Sequence, residues 1–260
     1  MDHMAAGNDN LAIVTPRRVE YVGGWRHALV SNLPVEHVAV SLKTIDYVFP
    51  LYICPTGLLA RDPKQQKKAN LAPRLLEALR KNYGHEPEPA DIFHYVYAVL
   101  YAPKYRARYA EPLKRDFPRV PFTKEKQLFK KLADFGKELM DLHLLKSSAL
   151  DKPACRFQGN GNNRVEKQSY IQKEKQVYIN KTQYFEGVEP EAWHYQIGGY
   201  QVLDKWVKDR KKRILNMDDI KHYCRVVTAL ARTIEVQAEI DKLYARVEKD
   251  VLTLPNNTSA

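Results

Sequence analysis

Residues 91–101 read Asp-Ile-Phe-His-Tyr-Val-Tyr-Ala-Val-Leu-Tyr and set the centre of the fold. Apolar side chains would occupy nearly every side of a helix built from this stretch, and a helix of that kind is buried in a core. Pro103 follows directly and suits the first turn of a second, short helix over residues 104–113. The middle of the chain is therefore predicted to be helical.

Further helices are predicted on both sides of this segment. Asn70 suits the N-cap of a helix over residues 70–83, which the following glycine would end. Thr123 suits the N-cap of a helix over residues 124–146, in which Leu and Phe residues recur along one stripe. Residues 58–70 between strand and helix are polar and are interpreted as a surface loop.

Short apolar runs separated by turn formers predict strands in residues 11–55 and 154–185. In the first region the runs are residues 11–14, 28–30, 37–40 and 47–54. In the second region, residues 159–163 and residues 172–175 are interpreted as the turns of two strand pairs. Both regions are therefore predicted to be β-structured.

The last third of the chain is predicted to be helical over residues 189–194, 200–213 and 218–252, with Asn216 and Asp219 as a capping pair before the long terminal helix. The predicted fold class is α+β: a β-rich region with a helical insertion and C-terminal helices. One domain over residues 11–253 is expected. Its sub-regions would be 11–55 (mainly β), 70–146 (mainly α), 154–185 (mainly β) and 189–252 (mainly α). Residues 1–10 are expected to be disordered or extraneous, and residues 254–260 are expected to be a frayed tail.

Positive charge narrows the range of partners. The 260 residues include 42 Lys and Arg against 31 Asp and Glu, a net charge of +11. Such an excess attracts nucleic acid, anionic membrane or acidic protein.

No apolar run reaches the roughly 18 to 20 residues that span a bilayer. Three widely separated cysteines disfavour disulfides and a cysteine-built metal site. We therefore expect a cytoplasmic protein with no membrane partner.

Motifs for the common enzyme chemistries are missing from the sequence. There is no P-loop, no complete dinucleotide-binding fingerprint and no Pro-Pro step of the kind found in amino-group methyltransferases. Asp62-Pro-Lys64 and Asp219-Ile-Lys221 match the carboxylate-x-Lys element of Mg²⁺-dependent nucleases, but both fall outside predicted strands. No catalytic residue and no metal site are predicted.

Basic residues cluster in two segments. Residues 101–131 hold ten cations against three anions, and residues 205–213 hold six against one. Clustered cations neutralise DNA phosphates and release condensed counterions, which supplies most sequence-independent affinity. The candidates for phosphate contact are Lys104, Arg106, Arg108, Lys114, Arg115, Lys181, Lys208, Arg210 and Lys211.

Base reading requires different side chains. Arg and Lys pair with guanine edges, and Asn and Gln pair with adenine edges, when a turn or strand carries them into the major groove. Residues 158–164 and 15–18 are rich in such side chains. The candidates for base contact are Arg17, Arg18, Lys43, Gln158, Asn160, Asn162, Asn163, Arg164 and Gln168.

Long stretches of the chain resemble the C-terminal specificity region of type ISP restriction-modification enzymes. The resemblance is carried in order by residues 11–18, 25–32, 43–55, 91–101, 105–121, 177–185 and 198–210. It implies a target recognition domain that binds double-stranded DNA and directs adenine methylation and cleavage by other domains of the parent enzyme. It also implies a methyltransferase domain as partner. S-adenosylmethionine, ATP and Mg²⁺ would bind those other domains, and this chain would hold no cofactor.

Two alternatives to a DNA-reading module stay open on the sequence alone. The chain could be an adaptor whose terminal helices bind protein, for instance a methyltransferase. It could also be a small Mg²⁺-dependent nuclease that uses Asp62 or Asp219.

Overall fold

A computed structural model of the protein describes residues 2–4, 9–20, 23–41, 43–55 and 67–254. The chain divides by its internal contacts into two units. Unit 1 comprises Met1–Met140 and Gln237–Ala260, and unit 2 comprises Asp141–Val236. Each unit is described by itself. That residues 11–253 act as one functional domain stays a prediction.

Unit 1 begins with short strands and continues with helices. Its elements are β1 (Ala12–Pro16), β2 (Leu29–Ser31), β3 (Asp46–Pro50), β4 (Tyr52–Ile53), β5 (Lys68–Ala69), α1 (Pro73–Tyr83), α2 (Pro89–Tyr101), α3 (Pro103–Arg108), α4 (Ala110–Arg115) and most of α5 (Lys126–His143). Strand β1 lies between β2 and β3 in an antiparallel sheet. All five of its residues are buried, which explains its run of apolar side chains.

Helix α2 confirms the prediction of a buried central helix. Ile92, Tyr95, Tyr97 and Ala98 are fully buried, although they lie on different sides of the helix. The buried hydroxyl group of Tyr95 has a partner, because it donates to the Pro121 carbonyl at 2.8 Å. The all-round apolar sequence is therefore explained by packing on every side.

Three predictions for unit 1 need correction. Residues 37–40 form bends instead of a strand, because the Asp46 carboxylate accepts the backbone N–H groups of Ala39 and Val40 at 2.6 and 2.7 Å. Helix α1 begins at Pro73, and the Asn70 side chain donates to the Pro50 carbonyl instead of capping the helix. Helix α5 begins two residues after the predicted start.

Other predictions concern segments that the structure describes only in part. Residues 2–4, inside the stretch expected to be disordered, form a short 3-10 helix, and Met4 is buried. Most of the predicted loop over residues 58–70 lies outside the described residues, and so does Asp62. The described helices include none with the length and apolarity needed to cross a membrane. The three cysteines are free and buried.

His27 is expected to make the stability of unit 1 depend on pH. Its side chain is buried beside Arg106, and burial, followed by the charge of Arg106, lowers its pKa from 6.5 to about 4. Between these two values the unfolded chain binds a proton that the folded chain does not. The contribution of His27 to the free energy of unfolding should therefore be complete above pH 6.5. It should decrease by about 2 to 3 kcal/mol as the pH drops to 4.

Urea denaturation of the wild type and of His27→Gln, measured at several pH values between 7 and 4, checks this expectation. The difference in unfolding free energy between the two proteins should shrink as the pH falls. A difference that is constant over this range would show that His27 titrates alike in the folded and unfolded chains.

Unit 2 contains a four-stranded sheet and helices packed against it. Its elements are β6 (Arg156–Gln158), β7 (Ser169–Ile171), β8 (Gln176–Tyr178), β9 (Tyr184–Glu186), α6 (Pro190–Trp193), β10 (Gln196–Ile197), β11 (Tyr200–Gln201), α7 (Val202–Lys208) and the first part of α8 (Met217–Val247). The order in the sheet is β6-β9-β8-β7, and neighbours are antiparallel. Phe185 from the sheet and Tyr223 from α8 meet in the core, with ring centres 4.1 Å apart.

Turn predictions for unit 2 have mixed outcomes. Residues 172–175 connect β7 to its partner β8, as predicted. Residues 159–163 do not close a hairpin, because β6 pairs with β9. The predicted helix over residues 200–213 is shortened to α7, since residues 200–201 form β11 and Arg164 bridges to Ile214 beyond the helix.

The long C-terminal helix is confirmed as α8, which contributes residues to both units. Its start is capped reciprocally, because the Asp219 N–H donates to Asn216 Oδ1 at 2.8 Å and the Asn216 N–H donates to Asp219 Oδ2 at 3.2 Å. The helix ends at Val247, before the predicted end at residue 252. The α+β fold class is confirmed.

Candidate nucleic-acid interface

Three segments of unit 2 converge on one surface: residues 159–164, 180–183 and 210–215, here called the three-segment surface. Backbone and side-chain hydrogen bonds join them. The Thr182 hydroxyl donates to the Asn160 carbonyl at 2.8 Å, and Asn180 Nδ2 donates to the Arg164 carbonyl at 3.0 Å. The third segment joins through the Leu215 N–H, which donates to the Asn163 carbonyl at 2.9 Å.

Gln183 lies beneath this surface with 2% of its area exposed. Its Oε1 accepts the Asn163 N–H at 2.8 Å and Asn180 Nδ2 at 3.1 Å, and its Nε2 donates to Asn163 Oδ1 at 2.7 Å. One buried amide therefore fixes two turns that are separate in sequence. A buried amide that is hydrogen-bonded through both its oxygen and its nitrogen gives a defined arrangement to the residues that it joins.

Glycine at position 159 permits the close approach of the first two segments. Gly159 has a φ of 91°, and a Cβ atom there would lie 2.0 Å from the Thr182 carbonyl oxygen. Only glycine adopts this backbone conformation without strain and leaves that space open. The Gly-Asn-Gly sequence thus brings the turn against residues 180–183.

Positive charge is concentrated on the three-segment surface. Arg164, Lys181, Lys211, Lys212 and Arg213 are all exposed, and among the described residues none of their side chains has an ion-pair or hydrogen-bond partner. Cationic groups without an intramolecular partner can neutralise phosphates. Arg164, Lys181 and Lys211 were predicted from the sequence as DNA contacts, whereas Lys212 and Arg213 were missed, although their charge run was visible.

The polar candidates in residues 158–168 have different environments. Asn160 and Asn162 are exposed on the turn, and Asn162 Oδ1 accepts the Arg164 N–H at 3.0 Å. Gln158 is half-buried on β6. Asn163 bonds to Gln183 and Leu215, and Gln168 donates to Asp204 at 3.2 Å. The structure therefore brings Asn160, Asn162 and Arg164 together at the surface, while Asn163 and Gln168 are engaged within unit 2.

Two further cations of unit 2 are held by neighbouring side chains. Lys208 pairs with Asp204 at 2.5 Å and stays 58% exposed. The Arg210 guanidinium lies 3.7 Å from the Trp206 ring centre, donates to the Trp206 carbonyl and pairs with Asp219 at 3.4 Å. Arg210 is therefore engaged within the fold, and Asp219 is used by Arg210 and by the cap of α8. No cluster of three potential metal ligands occurs within the described ranges.

In unit 1 the base-reading candidates lie around the end of β1. Arg17 Nε donates to Asp116 at 2.9 Å, and this contact holds the pKa of the Asp116 carboxyl below its usual value. The Thr44 hydroxyl donates to the Arg18 carbonyl at 2.8 Å, so the segment containing Lys43 lies against Arg18. The side chains of Arg18 and Lys43 are exposed and have no partner in the part of the chain that the structure describes.

The phosphate candidates of unit 1 are mostly paired. Arg106 donates to the Leu100 carbonyl at 2.6 Å and lies over the Tyr101 ring, which gives it a packing role. Lys104 Nζ donates to the Asp241 backbone carbonyl at 3.0 Å, Arg108 pairs with Glu248, and Lys114 pairs with Glu111. Arg115 is exposed and unpaired within the described residues. A solvent-accessible ion pair such as Lys114–Glu111 is weak and can exchange with phosphate.

Known proteins share the architecture of this chain. It is similar to a nuclease-deletion mutant of the Type ISP restriction-modification enzyme LlaGI in complex with a DNA substrate mimic, with a TM-score of 0.62 and 21% identity. It is also similar to the ATP-dependent Type ISP restriction-modification enzyme LlaBIII bound to DNA (0.66, 20%) and to DrdV in a DNA complex (0.71, 22%). Each match covers 89% of this chain, but only 21%, 16% and 25% of those chains, respectively.

The family assignment comes from the sequence itself. No curated protein matches the chain. The family model described as Type ISP C-terminal specificity domain matches residues 1–239, which is most of the chain. The chain therefore belongs to the Type ISP C-terminal specificity domain family.

Proposed function

We propose that this chain binds double-stranded DNA sequence-specifically, as the target recognition domain of a restriction-modification enzyme. The observation that carries the proposal is the three-segment surface, where five exposed and unpaired cations surround a rigid Asn-Gly turn within the described part of the chain. Cations supply affinity through phosphates, and the turn presents amide and guanidinium groups that suit base edges. Membership in the specificity-domain family and the DNA complexes formed by LlaGI, LlaBIII and DrdV support the same function.

Under this proposal the chain chooses the site, and other domains of a larger enzyme carry out adenine methylation and cleavage. Those domains would bind S-adenosylmethionine, ATP and Mg²⁺, and the methyltransferase domain would be the protein partner of this chain in the cytoplasm. This chain would contribute no catalytic group. Arg164 is our first choice for base reading, because its side chain is exposed beside Asn160 and Asn162 and has no partner among the described residues.

Selection of bound duplexes from a randomised pool tests the proposal. The wild type is expected to enrich one short sequence. Arg164→Ala should relax the preference at one position by about fivefold to 150-fold, because a bidentate arginine–guanine contact discriminates by about 1 to 3 kcal/mol. Lys211→Ala with Lys212→Ala should leave the preferred sequence intact and reduce the slope of log affinity against log salt by about 2, since each phosphate that is no longer neutralised lowers this slope by about 0.9.

Lys173→Ala is the matched control, because Lys173 is an exposed lysine on the β7–β8 turn, outside the three-segment surface. It should change neither the enriched sequence nor the salt slope. If the wild type recovers duplexes as random as the starting pool, the chain does not read sequence. If Lys173→Ala lowers the salt slope as much as the double substitution of Lys211 and Lys212 does, DNA binding is spread over the whole cationic surface.

A further inference from the structure

Exposed apolar side chains are concentrated in the β region of unit 1. Among the described residues, six of the ten exposed large hydrophobic side chains lie between positions 33 and 53. Tyr47 and Phe49 are 43% and 40% exposed and occupy alternate positions of β3, so they project from the same face of the sheet. Neighbouring exposed rings on one face of a sheet suit a contact site.

A third ring holds this pair in place. Phe117 packs edge-to-face on Tyr47, with ring centres 5.0 Å apart, and on Phe49, with ring centres 5.3 Å apart. The backbone is fixed as well, because Tyr47 pairs with Thr15 and Phe49 pairs with Ile13 on the buried strand β1. Tyr47, Phe49 and Phe117 are here called the aromatic platform. Aromatic groups that are already immobilised lose little conformational freedom when a ligand binds.

Cations lie beside the aromatic platform. The Arg17 guanidinium is 5.9 Å from the Phe117 ring centre, and its only charged partner among the described residues is Asp116. That pair is 55% and 47% exposed, so it contributes little stability and can exchange with a phosphate. Arg115, the sequence neighbour of Asp116, is exposed and unpaired in the described ranges. The platform therefore combines aromatic faces with positive charge, which is complementary to a polyanion that carries flat rings.

We propose that the aromatic platform binds unpaired bases of a DNA strand, while Arg17 and Arg115 hold the adjoining phosphates. The proposal rests on the proposed function in one respect, since both take DNA as the ligand. Bases inside a duplex are stacked on one another, so their faces are available to protein rings only where the strand is open or a base is displaced. Stacking on aromatic side chains, with cations along the backbone, is the chemistry of single-strand binding and tolerates any sequence.

The test uses the full chain and a short single-stranded oligonucleotide that contains 2-aminopurine, together with the fully paired duplex of the same sequence. Wild-type protein is expected to quench 2-aminopurine emission through stacking. Tyr47→Leu with Phe49→Leu keeps the apolar bulk but removes the rings, and should weaken single-strand binding about tenfold or more and abolish the quenching. Binding of the paired duplex should change less than about twofold, because its bases are not open to the rings.

Ile45→Ala is the matched control, because Ile45 is 60% exposed beside the same strand and carries no ring. It should bind the single strand like the wild type. The proposal is overturned if wild-type protein produces no quenching, a result that does not depend on any variant folding. It is also overturned if Ile45→Ala weakens binding as much as the double variant does, since the surface would then be a general apolar contact, such as one for a protein domain.

The two proposals fail in different experiments. Loss of sequence enrichment in the duplex selection contradicts the proposed function and leaves the quenching result intact. Loss of quenching contradicts the aromatic platform as a base-binding site, and the duplex selection is then unaffected.

Discussion

Replacing Gln183 with leucine is expected to lower the free energy of unfolding by about 4 kcal/mol, because it removes a buried amide and leaves two polar groups of Asn163 without their partner. The side chain of Gln183 makes three hydrogen bonds, two of them to Asn163. Leucine has a similar volume but can neither donate nor accept. The Asn163 N–H and Oδ1 would then lose their partner at a half-buried position, which costs about 1 to 3 kcal/mol for each group.

Urea denaturation of the wild type and the Gln183→Leu variant measures this effect. Gln176→Leu is the control, because Gln176 is a half-buried residue of β8 whose amide donates to Glu186 at 3.4 Å and accepts the Tyr178 hydroxyl at 3.0 Å, and both partners keep access to solvent. The control should lose about 1 kcal/mol or less. Equal losses in the two variants would show that the buried amide of Gln183 stabilises the fold no more than the half-buried amide of Gln176 does.

A second measurement separates positioning from stability and rests on the proposed function. Gln183 is buried beneath the surface, yet it fixes the turn that carries Asn160, Asn162 and Arg164. A folded Gln183→Leu protein should therefore bind duplex DNA with a similar salt slope but enrich a broader set of sequences. An unchanged enriched sequence would show that the turn keeps its geometry without this amide.

Local patterns in the sequence predicted the elements that depend on local interactions. The apolar surround of α2, the Asn216–Asp219 cap of α8 and the turn at residues 172–175 were all readable, because each depends on residues a few positions apart. The pairing of β6 with β9 was not readable, since it joins strands that are distant in sequence. Turn-forming residues at 159–163 predict a change of direction but do not identify which strand becomes the neighbour.

The candidate site shows the same division. The charge run over residues 205–213 predicted positive surface, and Lys211, Lys212 and Arg213 are indeed exposed. Sequence could not show that Arg210, in the same run, lies on the Trp206 ring and bonds to Asp219, because side-chain partners depend on the packing of α7 against α8. Gln183 carried no signal at all, since a glutamine before a strand is ordinarily solvated.

Gly136→Ala is expected to destabilise unit 1 by about 4 kcal/mol, beyond the usual cost of an added core methyl group. Gly136 lies on α5 where the helix approaches α2, and a Cβ atom there would be 1.8 Å from the His94 carbonyl oxygen and 2.6 Å from its carbon. Both atoms belong to backbone within a helix, so no side-chain rotation relieves the overlap. The two helices would have to separate, and α2 would lose packing along its buried side.

Helix propensity predicts the opposite effect of this substitution, so its sign is informative. Alanine is favoured over glycine in a helix by about 1 kcal/mol, so propensity alone predicts that Gly136→Ala stabilises the protein. Gly24→Ala is the control, because a Cβ atom at Gly24 meets nothing within 4 Å, and its effect should stay within about 0.5 kcal/mol. Thermal and urea unfolding of both variants decide the sign. A stabilised Gly136→Ala protein would mean that α2 and α5 lie farther apart than these distances indicate, whereas a large loss would show that the glycine is kept for the contact between the helices.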